Sequence, residues 1–416
     1  MSGQDDLDAV VRTHWWRAVA AVMRLVGDLE VAEDAVQEAC VAAVVQWRAD
    51  GVPANPGAWL VGAARHKALD WLRREAQRVH KEEAAMREYH GQRQPAEEGP
   101  IADDQLALIF LCCHPALDLG VQVALTLRSV CGLTTADVAA ALLLPEATLA
   151  QRLVRAKRKI REAGIPFRVP SAGALAGRLS GVLRVVYLLF TQGHRAAVGE
   201  DLIRPALCAE AIRLARVLVS LLPEEPEAPG LLALLLLVDA RRSGRIDAAG
   251  DLVLLEDQDR GCWDHAKIAE GAALAERAQR ARRPGSYQIQ AAIAACHSTA
   301  PTAMTTDWGE ITALYEELAR YEPTPVVEAN RAVAVAMTQG SAAGLVILDT
   351  LAADPRLARW PQLYIARADL LSRLGRHTDA VAAYHAALAL EPPRAEQAFI
   401  TRRIRQLAPP DAGQES

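Results

Sequence analysis

Across residues 171–407 apolar side chains recur at helical spacing, and the run is broken by Pro and Gly. The breaks fall at 223–229, Gly244, Pro284-Gly285, Pro301, 323–325, Gly340, Pro355 and Gly375. A chain punctuated in this way must bury a succession of amphipathic helices against one another. The upstream part reads similarly. Residues 5–76 are helical with breaks near Gly27-Asp28 and at 50–56, and residues 103–161 form a second block closed by Gly164, Pro166 and Pro170. Ala and Leu dominate and aromatics make up 5%, which favours helix over sheet. The predicted fold class is therefore all-α. At 416 residues the chain exceeds one ordinary domain. The expected units are 1–76, 103–168 and 169–407. A charged linker at 77–102 ends in Pro95 and Gly99-Pro100, and a disordered tail is expected at 408–416.

The clearest internal signal lies at residues 361–394. Ala368, Ala380 and Ala387 are small where two antiparallel helices must approach, Tyr364, Leu371 and Tyr384 supply bulk, Gly375 opens the turn, and Pro392 ends the second helix. That is the 34-residue tetratricopeptide pattern, with Arg367 departing at a usually apolar position. A looser copy surrounds Gly340, and residues 231–260 around Gly244 read as a further degenerate one. One such unit cannot cover its own apolar face, so a stacked helical-repeat (TPR-like) domain is expected.

The net charge of −5 hides segregation. Residues 1–54 hold nine acidic and four basic residues, a net of −5; residues 55–81 hold six basic and two acidic, a net of +4; residues 145–168 hold seven basic and two acidic, a net of +5. Two basic islands on an acidic chain suit local phosphate contact without general DNA adhesion, although either alone is equally a solvated helix face. No long apolar run lacks charge and the N-terminus is acidic, so neither a membrane span nor a secretory signal is expected. Seven dispersed cysteines read as reduced thiols, and the expected location is cytoplasmic.

In the first island, Ala32, Val36, Cys40, Ala43 and Trp47 make one helical stripe, and Glu33, Asp34, Gln37 and Glu38 are expected on an acidic, solvated opposite face. Asn55 then caps a helix starting at Pro56. Its inward stripe is Leu60, Ala64, Ala68 and Leu72, leaving Arg65, His66, Lys67, Arg73 and Arg74 outward. The run VAEDAVQEACVAAVVQW…NPGAWLVGAARHKALDWLRR resembles domain two of sigma-70 family factors of the extracytoplasmic-function (ECF) group. It departs at Cys40, where a larger residue is common, and at His66, where Asn is frequent. The resemblance implies that Glu33, Asp34, Gln37 and Glu38 dock core RNA polymerase. It also implies that Asn55, Trp59, Arg65, His66, Lys67, Arg73 and Arg74 grip a melted −10 promoter element. Capturing an unstacked base needs cationic tracking and a stacking platform, which Trp59 could supply if it is not simply a core residue.

In the second island, Thr134-Thr135-Ala136-Asp137 makes a capping-box-like start to a short helix. A longer helix follows Pro145, with Leu149, Leu153, Ala156 and Ile160 on one face and Thr148, Arg152, Arg155 and Lys159 on another. This helix-turn-helix can place its second helix in a major groove, with Arg152 reaching base edges and Arg155, Lys157, Arg158 and Lys159 holding backbone. The run GLTTADVAAALLLPEATLAQRLVRAKRKIRE resembles sigma domain four, which implies duplex −35 recognition by these residues together with Thr134, Glu146, Thr148 and Gln151. Pro145 stands where that family often has Ser, which removes a side-chain N-cap.

The remainder resembles the ECF sigma factors that carry a tetratricopeptide-like extension, through YLLFTQGH, EDQDRGCWD, YQIQAAIAACHS, TDWGEITALYEEL and EANRAVAVAM. Gln258, Asp259, Arg260, Trp263, Gln288, His297, Asp307, Trp308, Asn330 and Arg331 either line a groove for an intramolecular or protein partner or brace successive helices. Cys112-Cys113-His114 and Cys131 lack zinc-ligand spacing and read as buried thiols, so neither a metal nor another cofactor is expected. No hydrolase, metalloprotease or phosphate-loop motif appears. The sequence thus reads as a non-catalytic sigma factor with a helical extension that regulates or supports it. The competing readings are a helix-turn-helix activator with a repeat sensor domain, which would have no need of a polymerase-docking helix, and a repeat scaffold with vestigial DNA islands.

Overall fold

The computed structural model describes residues 3–83, 101–142, 144–194, 205–247 and 252–407. Residues 84–100 of the expected linker and the expected tail at 408–416 lie outside the described residues. Two compact units divide the chain, residues 1–188 and 189–416. Among the described residues there are no strands, only one isolated bridge between Ile246 and Leu252, and no helix is long and apolar enough to cross a membrane.

In the first unit α1 (Gly3–Val26), α2 (Leu29–Asp50) and α3 (Pro56–Glu83) pack against each other. Local chemistry sets their starts. Gly27 takes φ 68° between α1 and α2, and the Asp28 carboxylate then accepts from the Glu30 and Val31 amides at 2.9 and 3.4 Å. Asn55 caps α3 by accepting from the Ala58 amide at 3.0 Å, as its position before Pro56 predicts. Helix α3 runs to Glu83, into the segment expected as linker. Next come α4 (Ile101–Cys112), α5 (Leu119–Ser129), α6 (Thr135–Leu142) and α7 (Glu146–Glu162). The turn after α5 uses Gly132 at φ 67°, where a Cβ would also sit 3.2 Å from Trp15. Thr134 Oγ1 accepts from the Asp137 amide at 3.0 Å while its own amide donates to Asp137 at 3.3 Å, the reciprocal cap expected from the sequence. Pro145 precedes α7 in extended conformation without a side-chain cap. Cys112 and Cys113 are buried, and burial pushes the Cys113 thiol up to about 12, so it is protonated at neutral pH.

Helix α8 (Ala172–His194) spans the division between the units. The second unit continues with α9 (Pro205–Leu221), α10 (Glu227–Asp239), α11 (His265–Arg280), α12 (Ser286–Thr299), α13 (Trp308–Tyr321), α14 (Pro325–Gln339), α15 (Ser341–Leu351), α16 (Pro361–Arg373), α17 (His377–Leu388) and α18 (Arg394–Leu407). From α9 to α18 successive helices pack in order. Helix α10 is apolar on every side, with residues 228–237 buried, because α9, α11 and α12 all lie against it.

The pattern at 361–394 folds as the pair α16–α17. Ala368, Ala380, Ala387 and Tyr384 are fully buried, and Gly375 turns at φ 73°. The copy around Gly340 is the pair α14–α15. Among the described residues the copy expected around Gly244 lacks its second helix: α10 is followed by 3-10 turns at Arg242–Gly244 and Arg260–Cys262, and the next α-helix begins at His265.

Close packing in α14–α15 rests on Gly344, where a Cβ would lie 2.5 Å from the Ala332 carbonyl oxygen and 2.6 Å from Ala336 Cβ. Backbone cannot yield as a flexible side chain does, so Gly344→Val should destabilise this pair by about 1–3 kcal/mol. A thermal melt of the full chain would show it, and an unchanged melting profile would contradict the packing.

His297 supplies a pH dependence. It packs edge-on to Trp308 at 5.2 Å, and burial followed by the neighbouring Arg241 and Arg260 charges pulls its imidazole from 6.5 to about 4. The folded state therefore holds it neutral while the unfolded chain protonates it first. Stability is complete above pH 6.5 and is progressively lost as the pH falls toward 4, by up to about 3 kcal/mol. His297→Gln should flatten the melting temperature between those pH values. An equal slope in both proteins would remove His297 as the cause.

Candidate nucleic-acid interface

Helices α3 and α7 each split into an apolar and a basic side. In α3, Leu60, Ala64 and Ala68 are buried, while Arg65, His66, Arg73 and Arg74 are exposed. Arg73 pairs with Asp70 at 3.0 Å, the Arg74 guanidinium donates to the Asp70 carbonyl at 3.2 Å, and Lys67 reaches Glu38 at 3.3 Å. These are surface contacts worth little, so DNA can replace them. Trp59 is half-buried, its ring edge-on to Trp47 at 5.2 Å, so it is shared between core and surface. The Asn55 side-chain oxygen is committed to its cap.

In α7 the four expected core residues, Leu149, Leu153, Ala156 and Ile160, are all buried. Glu146, Thr148, Gln151, Arg152, Arg155, Arg158 and Lys159 are exposed. Arg158 lies 3.6 Å from Glu162, and Lys159 donates to the Ala116 carbonyl at 2.5 Å. Arg152 and Arg155 make no ion pair among the described residues. Thr134 is exposed at the start of α6.

Two expected surface residues lie elsewhere. Glu33 was expected on the solvated acidic face of α2 but has no exposure, and Lys157 was expected on phosphate but is half-buried against it. The Lys157 ammonium ion-pairs with one Glu33 carboxylate oxygen, and Ser129 Oγ donates to the other at 2.5 Å. The reason is the packing of α7 on α2, invisible to a helical wheel drawn for α2 alone. A buried carboxylate without a partner costs several kcal/mol, so Glu33 needs α7 where it is. Asp34, Gln37 and Glu38 remain exposed.

The same seam holds residues that carried no functional expectation. Arg161 reaches Asp28 at 3.3 Å and Glu30 at 3.1 Å. Trp15 Nε1 donates to the Ser129 carbonyl at 3.1 Å, Arg128 stacks on the Trp15 ring at 4.9 Å, and Arg24 pairs with Asp104.

In the extension most of the singled-out polar residues brace helices. Asp259 caps the 3-10 turn at Arg260–Cys262, and Asp307 caps α13. Arg260 donates to the His297 and Ala300 carbonyls, both at 2.7 Å, and stacks on buried Trp263. Gln288 is buried and donates to the Arg283 carbonyl, and Arg331 pairs with Glu328. Asn330 is exposed.

An all-helical unit presenting two separate basic helices beside an acidic one is a promoter-recognition protein in class. Residues 10–78 match Sigma-70 region 2, residues 107–160 match Sigma-70, region 4, and residues 178–279 match a family of unknown function, DUF6596. An uncharacterized protein of Rhizobium meliloti (strain 1021) is 42% identical over 401 residues, covering 94% of this chain and 93% of that one. No solved structure matches. The chain belongs to the sigma-70 family, as an ECF-like sigma factor with a helical C-terminal extension, and it directs transcription initiation.

Proposed function

We propose a division of labour among the helices. Asp34, Gln37 and Glu38, joined by Glu33 once uncovered, dock the first unit on core RNA polymerase. Asn55, Trp59, Arg65, His66, Lys67, Arg73 and Arg74 engage the melted −10 element, and α7 with Thr134 reads the duplex −35 element. The modules extend over residues 1–76 and 103–168, and the chain acts in the cytoplasm as a specificity subunit without chemistry of its own. The observation that carries this reading is the two-sidedness of α3 and α7, each burying an apolar stripe while exposing arginines that no strong pair consumes. Cationic side chains in that state give the salt-sensitive backbone grip that nucleic acid requires. Residues 169–407 form a tetratricopeptide-like extension that regulates or supports initiation through an intramolecular or protein partner. A groove between α11, α12 and the start of α13, floored by Ala272, Ala275 and Ala292 and edged by Glu276, Asp307 and Glu310, is where such a partner fits.

Transcription in vitro tests the reading, using core polymerase, the full chain and DNA from upstream of its own locus. Discrete transcripts that need the protein, and are lost when Arg65 and Lys67 are reversed to Glu, are expected. DNA binding without initiation would favour the activator reading instead.

A further inference from the structure

We infer that the second unit holds a site for a small phosphoryl oxyanion just past the end of α10, built around Arg241 and Arg260. The site goes beyond the promoter reading and shares no lining residue with the acid-edged groove, so it gives the extension a small-molecule input of its own. Two short segments form the corner. Residues 240–245 follow α10, and residues 258–264 carry the 3-10 turn Arg260–Cys262 into α11. They are clasped together: the Asp264 amide donates to the Ala240 carbonyl at 2.9 Å, and Ser243 Oγ donates to the Cys262 carbonyl at 2.5 Å. Gly244 permits the approach, since a Cβ there would lie 2.8 Å from Trp263 Nε1. Arg241 stands on one segment and Arg260 on the other. Arg260 is held over the ring of buried Trp263 at 4.6 Å, and His297 on α12 feels both guanidinium charges.

Charge and hydrogen bonding are out of balance at this corner. Two buried donors, Arg241 Nε and Trp263 Nε1, have no acceptor, and Gln258 Oε1 is a buried acceptor without a donor. Neither Arg241 nor Arg260 forms an ion pair among the described residues. Burial, followed by the neighbouring Arg245 and Arg260 charges, pulls the Arg241 guanidinium from 12.5 down to about 10. The carboxylates of these segments are committed elsewhere: Asp239 pairs with Lys267 and Arg242, Asp259 caps the 3-10 turn, and Asp264 caps α11. A half-buried cation whose donors meet no acceptor is costly, and an anion removes that cost. Two guanidiniums suit a doubly charged group with three acceptor oxygens better than a single carboxylate. A phosphate monoester that also carries a hydroxyl would satisfy Gln258 Oε1.

The test uses the full chain. Inorganic phosphate binding is measured by titration calorimetry, and the melting temperature in phosphate is compared with that in sodium chloride of equal ionic strength. Binding is expected, with a higher melting temperature in phosphate. Arg241→Met should weaken binding about 10- to 150-fold, as for loss of a hydrogen bond to a charged group, and abolish the rise in melting temperature. In chloride alone Arg241→Met should melt no lower than the wild type, because it removes a cation that has no internal partner. Arg152→Glu with Arg155→Glu should keep the full response, which separates this site from the exposed arginines of α7. Glycerol phosphate distinguishes the two sources of the ligand: tighter binding than inorganic phosphate assigns a phosphorylated metabolite, weaker binding the free ion.

A wild type that takes up no phosphate would overturn the site. So would a response that survives Arg241→Met, which places the ion elsewhere. Equal melting temperatures in phosphate and chloride would mean an adventitious ion only. An Arg241→Met chain that melts lower in chloride would show that an internal partner already holds the guanidinium, and would overturn the site as well.

Discussion

Reversing Arg152 and Arg155 to Glu is expected to abolish discrete promoter-dependent transcripts while leaving core polymerase binding intact. Both side chains are exposed on α7, outside the buried stripe of Leu149, Leu153, Ala156 and Ile160, so the exchange touches none of that stripe. Neither forms an ion pair among the described residues, so no internal partner is stranded. An arginine on a base edge or phosphate is worth about 1–3 kcal/mol. Removing two therefore costs about 30-fold to about 20,000-fold in affinity, and the introduced carboxylates repel the backbone as well. The salt dependence of binding should fall by about 0.9 in logarithmic slope for each phosphate no longer neutralised. Arg280→Glu with Arg376→Glu makes the same change in net charge on exposed arginines of the extension. If that pair reduced transcription equally, the effect would belong to total charge rather than to α7. Normal transcripts from the α7 pair would remove this helix as the −35 reader.

The separation between what the sequence disclosed and what it hid has a physical cause. Capping and periodicity are local, so Asn55, Thr134, Gly375 and the stripe from Leu149 to Ile160 were legible, and so was the pair α16–α17 with its alanines at the close approach. Basic surface was legible too, because exposed arginines lie opposite an apolar stripe. The fate of Glu33 was not. A helical wheel assigns it to the polar side of α2, and only the tertiary approach of α7, more than 120 residues later in the chain, buries it. Lys157 was misplaced for the same reason. The region around Gly244 failed differently: a glycine and flanking apolar residues suggested a repeat, but 3-10 turns and a bracing Arg260 replace the second helix. Most of the polar residues shared with the extension-bearing resemblance, such as Asp259, Asp307 and Gln288, cap and tie helices.

Tyr384→Ala should be the most damaging single truncation in the C-terminal half of the extension. The side chain has no exposure and is the largest fully buried one among the described residues. It sits in a cluster with Ala368, Leu371, Ala380, Phe399 and Ile400, contributed by α16, α17 and α18. Removing a buried aromatic ring costs about 3–5 kcal/mol, from forfeited transfer energy and from the cavity left behind. Its hydroxyl adds little, since it accepts from the Arg403 guanidinium only at 3.4 Å, and Tyr384→Phe should cost no more than about 1 kcal/mol. Because each helix from α9 onward packs chiefly on its neighbours, the damage should not spread evenly. Hydrogen exchange should show α16–α18 losing protection while α10–α12 keep theirs, and a separate low-temperature transition should appear in the melt. If the Ala and Phe variants were indistinguishable, Tyr384 would not be the centre of this packing. If instead α10–α12 opened together with α16–α18, the extension would be one cooperative block, and a partner bound at any point along it would stabilise the whole.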